Sequence, residues 1–145
     1  MQIKPVEQVS SELVDAAGRL AQQLSPETTL PTAATLKAII ASPGSTLLIA
    51  EDEQTAMIMG MATLVVYATP AKLMAVLESV VVDKAARGRG VGQQLVEAAI
   101  TLAQDAGVKE VSLTSNPTRE AANRLYQRLG FKQRQTNIYC YRFNR

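Results

Sequence analysis

Apolar positions along the chain alternate between two rhythms, one helical and one extended. Gln2 to Val6 is a short extended start. Val9, Leu13, Ala16, Ala17, Leu20 and Leu24 then recur at helical spacing, with Ser10 or Ser11 as the N-cap that accepts from a first-turn N–H. Ser25-Pro26 ends that helix, and Thr32 caps a shorter one through Leu36, Ile39 and Ile40 that Pro43-Gly44 stops. Leu47 to Glu51 and Met57 to Tyr67, rich in apolar and β-branched residues, flank the polar turn Asp52 to Gln54 and predict a hairpin. After the loop Thr69 to Lys72, Leu73 to Val82 predicts another long strand, its apolar run interrupted by Glu78 and Ser79.

From Gly90 onward Val91, Leu95, Ala98, Ala99, Leu102 and Ala106 trace one helix face, and Gly107 stands where a C-terminal glycine belongs. Val111 to Thr114 predicts a short strand and Ser115 to Thr118 a turn. Thr118 is the expected cap of a last helix with Ala122, Leu125 and Leu129 as its stripe and Gly130 at its end. Phe131 to Gln135 and Ile138 to Phe143 predict a closing hairpin about Thr136-Asn137. Hairpins come first, and only the centre has the strand-helix-strand rhythm that demands parallel pairing. The expected class is mixed α/β (α+β), a mostly antiparallel central sheet flanked by helices in a single domain spanning 1–145, and not a doubly wound sheet.

Composition narrows the chemistry. With 47% hydrophobic and 19% charged residues the chain is expected to fold compactly, alone or as a simple oligomer such as a homodimer. A net charge of only +2, two phenylalanines and no tryptophan argue against nucleic acid as a partner. The start has no apolar stretch behind a basic one, and no run reaches the roughly 18 apolar residues of a membrane span, so a cytoplasmic protein with no membrane partner is expected. Cys140 is the sole cysteine, which excludes an intramolecular disulfide and a cysteine metal cluster; on a predicted apolar strand it is expected to be inert core. There is no histidine, so histidine-based nucleophilic triads and histidine-ligated zinc are excluded, and no metal is expected. Any acid or base must come from Glu, Asp, Tyr, Lys, Cys or water.

One turn carries a specific signal. Arg87-Gly88-Arg89-Gly90-Val91-Gly92 follows an apolar strand and opens a helix, so the first N–H groups of that helix point at whatever occupies the loop. Its glycines permit positive φ and close backbone approach, and Arg87 and Arg89 bring guanidinium charge, a combination suited to a diphosphate. A P-loop would end in Gly-Lys-Ser or Gly-Lys-Thr, and a dinucleotide fold would put its glycines after the first strand; neither fits. The bland alternative is a flexible basic turn whose glycines serve packing.

The stretch Leu77 to Gly92 resembles the acetyl-CoA motif of the GNAT family of N-acetyltransferases: Arg or Gln, two residues, Gly, one residue, then Gly or Ala, filled here by Arg87, Gly90 and Gly92. Asn123-Arg124-Leu125-Tyr126-Gln127-Arg128-Leu129-Gly130-Phe131 is similar to the family's second signature, a helix carrying Leu-Tyr and ending in Gly-Phe. The predicted element order also matches the family fold over essentially the whole chain.

The resemblance implies acetyl transfer from acetyl-CoA to an amine by direct attack, which needs no histidine. It implies that Arg87, Gly88, Arg89, Gly90, Val91 and Gly92 hold the pyrophosphate, and that backbone N–H groups of Val80, Val81 and Val82 meet the pantetheine arm. Glu78, inside an apolar strand that ends at the loop, is the leading base; burial there would raise its pKa, and the alternative is a carboxylate that is merely paired or that only binds the acceptor amine. Tyr126 corresponds to the family's general acid for the departing thiolate, the alternative being a packed aromatic. Many members have Asn where this chain has Arg119, and some place it three residues before the tyrosine. The pantetheine contact is therefore assigned to Asn123, and Arg119 to a phosphate or an anionic acceptor; Arg119, Asn123 and Tyr126 at i, i+4 and i+7 share one helix face. The expected acceptor is a small-molecule amine, with a protein lysine or N-terminus, or a non-catalytic acyl-CoA-binding module, as the other readings.

Overall fold

In the computed structural model, which describes residues 1–145, Leu13, Ala16, Ala17 and Leu20 form the buried stripe of helix α1 (Ser11–Leu24). Ser10 rather than Ser11 is its cap, with Oγ accepting the Leu13 N–H at 3.1 Å. Helix α2 (Ala33–Ala41) starts the same way, Thr32 Oγ1 accepting the Thr35 N–H at 3.1 Å. Leu36 of α2 joins the α1 stripe over Leu47, Ile49, Ile58 and Val81, so both helices cover one face of the sheet.

The chain divides into two compact units, Met1–Thr114 and Ser115–Arg145. The first holds the sheet: β1 (Gln2–Pro5), β2 (Ser45–Glu51), β3 (Ile58–Ala68), β4 (Leu73–Val82) and β5 (Val111–Ser112), in that spatial order. The first three junctions are antiparallel and the last is parallel. A parallel junction needs a crossover, which helix α3 (Val91–Asp105) supplies. A Cβ at Gly60 of β3 would touch Leu95 and Val91 of α3, whereas the adjacent Met61 packs toward the α1 cluster. Alternation along the strand thus puts α3 on the opposite face from α1. Leu95, Val96, Ala99 and Ala103 are fully buried there. With about 1.5–3 kcal/mol for each fully buried large aliphatic side chain, this stripe is the main tie between α3 and the sheet. Gly107 ends the crossover as expected, at φ +85°, with the Val108 N–H reaching back to Ala103 O.

Strand β4 is not regular. Its register with β3 runs Gly60↔Val82 and Met61↔Val81 and then Thr63↔Glu78, so three steps on β4 face two on β3. The extra residue makes a β-bulge, and within it Ser79 adopts φ +53°. The bulge turns Glu78 and Ser79 out to solvent between the buried Leu77 and Val80. The β4–β5 ladder consists of Ala75↔Val111 and Val76↔Ser112, and β5 is shorter than the expected Val111 to Thr114.

The second unit contains helix α4 (Glu120–Arg128) and, beyond it, no regular element. Three expectations are corrected here. Thr118 does not cap α4: its N–H and hydroxyl both donate to Asn116 Oδ1, at 2.9 and 2.8 Å, and Arg119 takes the N-cap position. No regular strand is formed over Phe131 to Gln135 or Ile138 to Phe143, so the expected closing hairpin is absent. Cys140 is consequently exposed and not core. No helix is long and apolar enough to cross a membrane.

A left-handed φ disfavours any side chain and a β-branched one most, by about 1–2 kcal/mol. Ser79→Val should therefore lower the unfolding free energy by about that amount, seen as a lower urea midpoint, while Ser79→Gly should match or exceed the wild type. Equal midpoints for all three would remove strain from the account of the bulge.

Candidate active site

The hand-over from β4 to α3 is organised by a buried carboxylate. Asp83, 3% exposed, donates its own N–H to Met59 O at 2.7 Å, and its Oδ1 accepts the Ala85 N–H at 3.0 Å. Its Oδ2 accepts Arg19 Nε at 2.9 Å, and Arg19 Nη2 donates to Ile58 O at 2.8 Å. Gln23, one turn along α1, donates to Asp83 Oδ1 at 3.4 Å and accepts the Lys84 N–H at 2.8 Å. The Ala85 N–H, then the hydrogen bonds from Arg19 and Gln23 and the Arg19 charge, hold the Asp83 carboxyl below its ordinary value against the opposing effect of burial. Two side chains of α1 thereby fix the single 3-10 turn Lys84–Ala86 that precedes the glycine-rich loop.

The loop itself leaves helix α3 open at its start. Arg87 is extended, Gly88 lies at φ +80°, and Gly90, the N-cap of α3, lies at φ +77° with no side-chain cap. A Cβ at Gly88 or Gly90 would find no protein atom within 4 Å, so the turn is open in front of both residues. Val91 is buried and pins the first turn of the helix, which also contains Gly92. The initial N–H groups of α3 are thus presented to any anion in the loop. Arg87 Nε reaches Val82 O at 3.4 Å. Arg89 Nη2 stands 3.5 Å from Asp52 Oδ2, in the turn between β2 and β3. The N–H groups of Thr55 and Gln54 hold the Asp52 carboxyl below its ordinary value, and Arg89 adds to this. An exposed pair at that distance is weak, so Arg89 can exchange Asp52 for a phosphate at little cost.

Glu78 lies at the β4 bulge with its side chain in solvent. The buried carboxylate expected from the apolar run is corrected: the bulge, invisible in the sequence pattern, rotates residues 78 and 79 outward. Val80 and Val81 are buried and Val82 is half-buried, all on the part of β4 beyond its ladder with β5.

Within the second unit, Asn123 and Tyr126 sit on α4 with Arg119 at its N-cap. Asn123 Nδ2 donates to Asn116 O at 3.0 Å and to Arg119 O at 2.9 Å, so its amide hydrogens hold the loop before the helix and Oδ1 is the atom left to meet a ligand. Gly130 at φ +101° lets the chain fold back, the Phe131 N–H donating to Tyr126 O at 3.0 Å. Phe131 thereby meets Tyr126 edge to face, with ring centroids 5.9 Å apart. This is the physical content of the Leu-Tyr and Gly-Phe pattern: the glycine turn clamps the tyrosine ring. Burial raises the Tyr126 hydroxyl above its usual pKa, opposed by the Arg119 charge, which keeps the phenol protonated across neutral pH.

Pattern reading had missed Arg19, Gln23, Asp83 and Asp52. Asp83 had one usable signal, an acid directly after a strand and before a turn. Arg19 and Gln23 are 64 and 60 residues from their partners, and nothing local marks them. A cleft of about 580 Å³ bordered by Ile3, Gln93, Glu97 and Thr101 shares only Gly90 with the loop.

The sequence profile of the Acetyltransferase (GNAT) family matches residues 11–131. The chain belongs to this family. Among solved structures, a putative acetyltransferase from Agrobacterium tumefaciens aligns over 98% of this chain and 100% of its own, with 27% identity and a TM-score of 0.83. An aminoglycoside acetyltransferase from an uncultured soil metagenomic sample aligns over 99% and 96%, with 17% identity and a TM-score of 0.84. Glucosamine-6-phosphate N-acetyltransferase from Arabidopsis thaliana aligns over 97% and 99%, with 18% identity and a TM-score of 0.79. No curated protein sequence gives a significant match. The mixed sheet flanked by helices is thus the GNAT fold, and acetyl transfer is the family's chemistry.

Because the Asp83 carboxyl titrates lower in the folded than in the unfolded chain, its contribution is complete above the unfolded value near 3.8 and is lost as pH falls through the folded one. Wild type should lose stability on acidification below about pH 4 more steeply than Asp83→Asn, followed by denaturant midpoint against pH. Arg19→Met, which leaves the buried carboxylate short of a charged donor, should cost about 2 kcal/mol at pH 7, a cost that shrinks as pH falls through the folded value of Asp83.

Proposed function

We propose that this GNAT protein transfers the acetyl group of acetyl-CoA to the primary amine of a small-molecule acceptor, by direct attack within a ternary complex. The observation that carries the donor half is the uncapped, left-handed start of α3 at Gly90, open in front of Gly88 and Gly90 and flanked by Arg87 and Arg89. Those residues fit a pyrophosphate by chemistry and by space. Bound acetyl-CoA supplies an activated acyl group on a thiolate leaving group of pKa about 8.5.

The chain's own residues divide the remaining work. Backbone groups of Val80, Val81 and Val82 on β4 align the pantetheine, and Asn123 adds its Oδ1. Glu78 meets the acceptor amine at the bulge. An alkyl ammonium has a pKa of about 10.4, so near neutral pH it arrives charged, and an exposed carboxylate both attracts it and takes its proton, directly or through water. Tyr126, a phenol whose pKa burial raises further, donates its proton to the departing sulfur. Arg119 meets a phosphate of the donor or an anionic group of the acceptor. A small acceptor is in keeping with two solved relatives that are by name aminoglycoside and glucosamine-6-phosphate acetyltransferases. A soluble intracellular amine pool is the corresponding setting.

Thiol release measured over polyamines, amino acids, aminoglycosides, amino sugars and peptides tests the reaction. A small amine should accelerate it most. Preference for peptides would move the acceptor to protein, and tight acetyl-CoA binding with no amine-dependent release would make the chain a binding module. Glu78→Gln should depress the rate chiefly below the amine's pKa, and an unchanged pH profile would remove Glu78 as base. Arg87→Ala should weaken acetyl-CoA by roughly ten- to a hundredfold and leave acetyl-pantetheine nearly unaffected, since only the former carries the pyrophosphate. Equal losses for both would sink the pyrophosphate assignment.

A further inference from the structure

The connection from β4 to α3, all within the first compact unit, is pinned at both ends and free in between. At its start the Asp83 N–H donates to Met59 O at 2.7 Å. At its far end α3 rests on the bare backbone of Gly60, where an added Cβ would come to 3.2 Å from Val91 Cγ1 and 3.0 Å from Leu95 Cδ1. This packing holds the N–H groups of residues 91–93, which precede the first helical bond, from the Gln94 N–H to Gly90 O at 3.1 Å. Between the anchors Gly88 and Gly90 both take positive φ, a region that glycine enters without strain. A link with that freedom closes the same gap along more than one path. Each path carries Arg87 and the loop amides in a different direction relative to the open start of α3.

The 3-10 turn Lys84–Ala86 selects one path, and its three N–H groups are all taken. The Ala85 N–H goes to Asp83 Oδ1 at 3.0 Å and the Ala86 N–H to Asp83 O at 2.8 Å, both within the same stretch of chain. The Lys84 N–H goes to Gln23 Oε1 at 2.8 Å, 61 residues away, and is the one bond the turn takes from another element. The same side-chain amide donates Nε2 to Asp83 Oδ1 at 3.4 Å, so it spans from the carboxylate to the turn. Arg19 offsets the charge of Asp83 and reaches Ile58 O, but it makes no bond to the turn. The bonds from Asp83 to its own neighbours define the shape of the turn; the bond from α1 defines its direction.

We infer that Gln23 is a positioning residue for the donor. It holds the Lys84–Ala86 turn in the direction that brings Arg87 and the loop amides to the start of α3, and so sets the affinity for the pyrophosphate half of acetyl-CoA. This rests on the assignment of Arg87 to Gly92 to the pyrophosphate. Where only a fraction of molecules holds a binding-competent loop, the apparent dissociation constant rises by the inverse of that fraction. Loss of one well-formed hydrogen bond shifts such a fraction by roughly five- to tenfold.

Gln23→Met keeps the length of the side chain and removes both of its bonds. Titration calorimetry should show its Kd for acetyl-CoA raised roughly five- to tenfold, with acetyl-pantetheine, which lacks the pyrophosphate, bound as by the wild type. A change that merely loosened the fold would weaken both. In the wild type the Lys84 amide hydrogen should exchange at least about tenfold more slowly than an unstructured amide, although the residue is exposed, and Gln23→Met should lose that protection. The wild-type exchange rate needs no variant to fold. Equal acetyl-CoA affinity in Gln23→Met and wild type, an equal loss for both ligands, or an unprotected Lys84 amide in the wild type would each overturn the inference. Arg87→Ala separates that failure from failure of the donor assignment. If Arg87→Ala weakens acetyl-CoA selectively and Gln23→Met does not, the pyrophosphate site stands and only the role of Gln23 falls. If the wild type binds no acetyl-CoA, both fall.

Discussion

The buried carboxylate of Asp83 is the point on which the glycine-rich turn depends. It lies between a strand that must stop and a helix that must start in a set direction, and it takes donors from both sides of that junction: the Ala85 N–H ahead of it and Arg19 and Gln23 from α1. A buried charge is tolerable only when it is paired and hydrogen-bonded, so this arrangement is close to all-or-none. Once it is made, the Lys84–Ala86 turn has one orientation, and Gly88 and Gly90 deliver the chain to α3 with its first N–H groups uncovered. The open start of α3 therefore rests on three side chains that lie outside the loop itself.

Two local backbone irregularities do comparable work. The bulge at Ser79 spends a left-handed φ on a residue that has a side chain, and in return it turns Glu78 out of an otherwise apolar strand. The glycine turn at Gly130 costs no such strain, and it folds Phe131 back onto Tyr126. One device exposes a carboxylate and the other secures a phenol. Both re-aim a side chain by changing backbone direction within a single residue, a motion too small to leave a mark on hydrophobic periodicity.

The helices and most strands were legible because burial on one face imposes a period. The stripes of α1 and α3, the caps at Ser10 and Thr32, and the terminating Gly107 all follow local rules and fall where those rules place them. The loop from Arg87 to Gly92 was legible for a different reason: glycines, arginines and a strand-to-helix junction together leave few physical alternatives. Glu78 was misjudged because an apolar run was read as a regular strand. Cys140 was misjudged because a strand-like pattern was read as a buried strand.

By itself the sequence determined the order of elements as far as α4, the mixed sheet and the position of the glycine-rich turn, since each rests on contacts a few residues apart or on a periodicity within one element. Only the tertiary structure decided which side chains hold that turn, which way Glu78 faces and what becomes of the last fifteen residues. Arg19 and Asp83 meet across 64 positions, the bulge exists only as a register between two strands, and the exposure of residues 138–143 depends on what does or does not cover them. Those are properties of pairings, and a single chain's pattern specifies what each partner wants without specifying where the other one is.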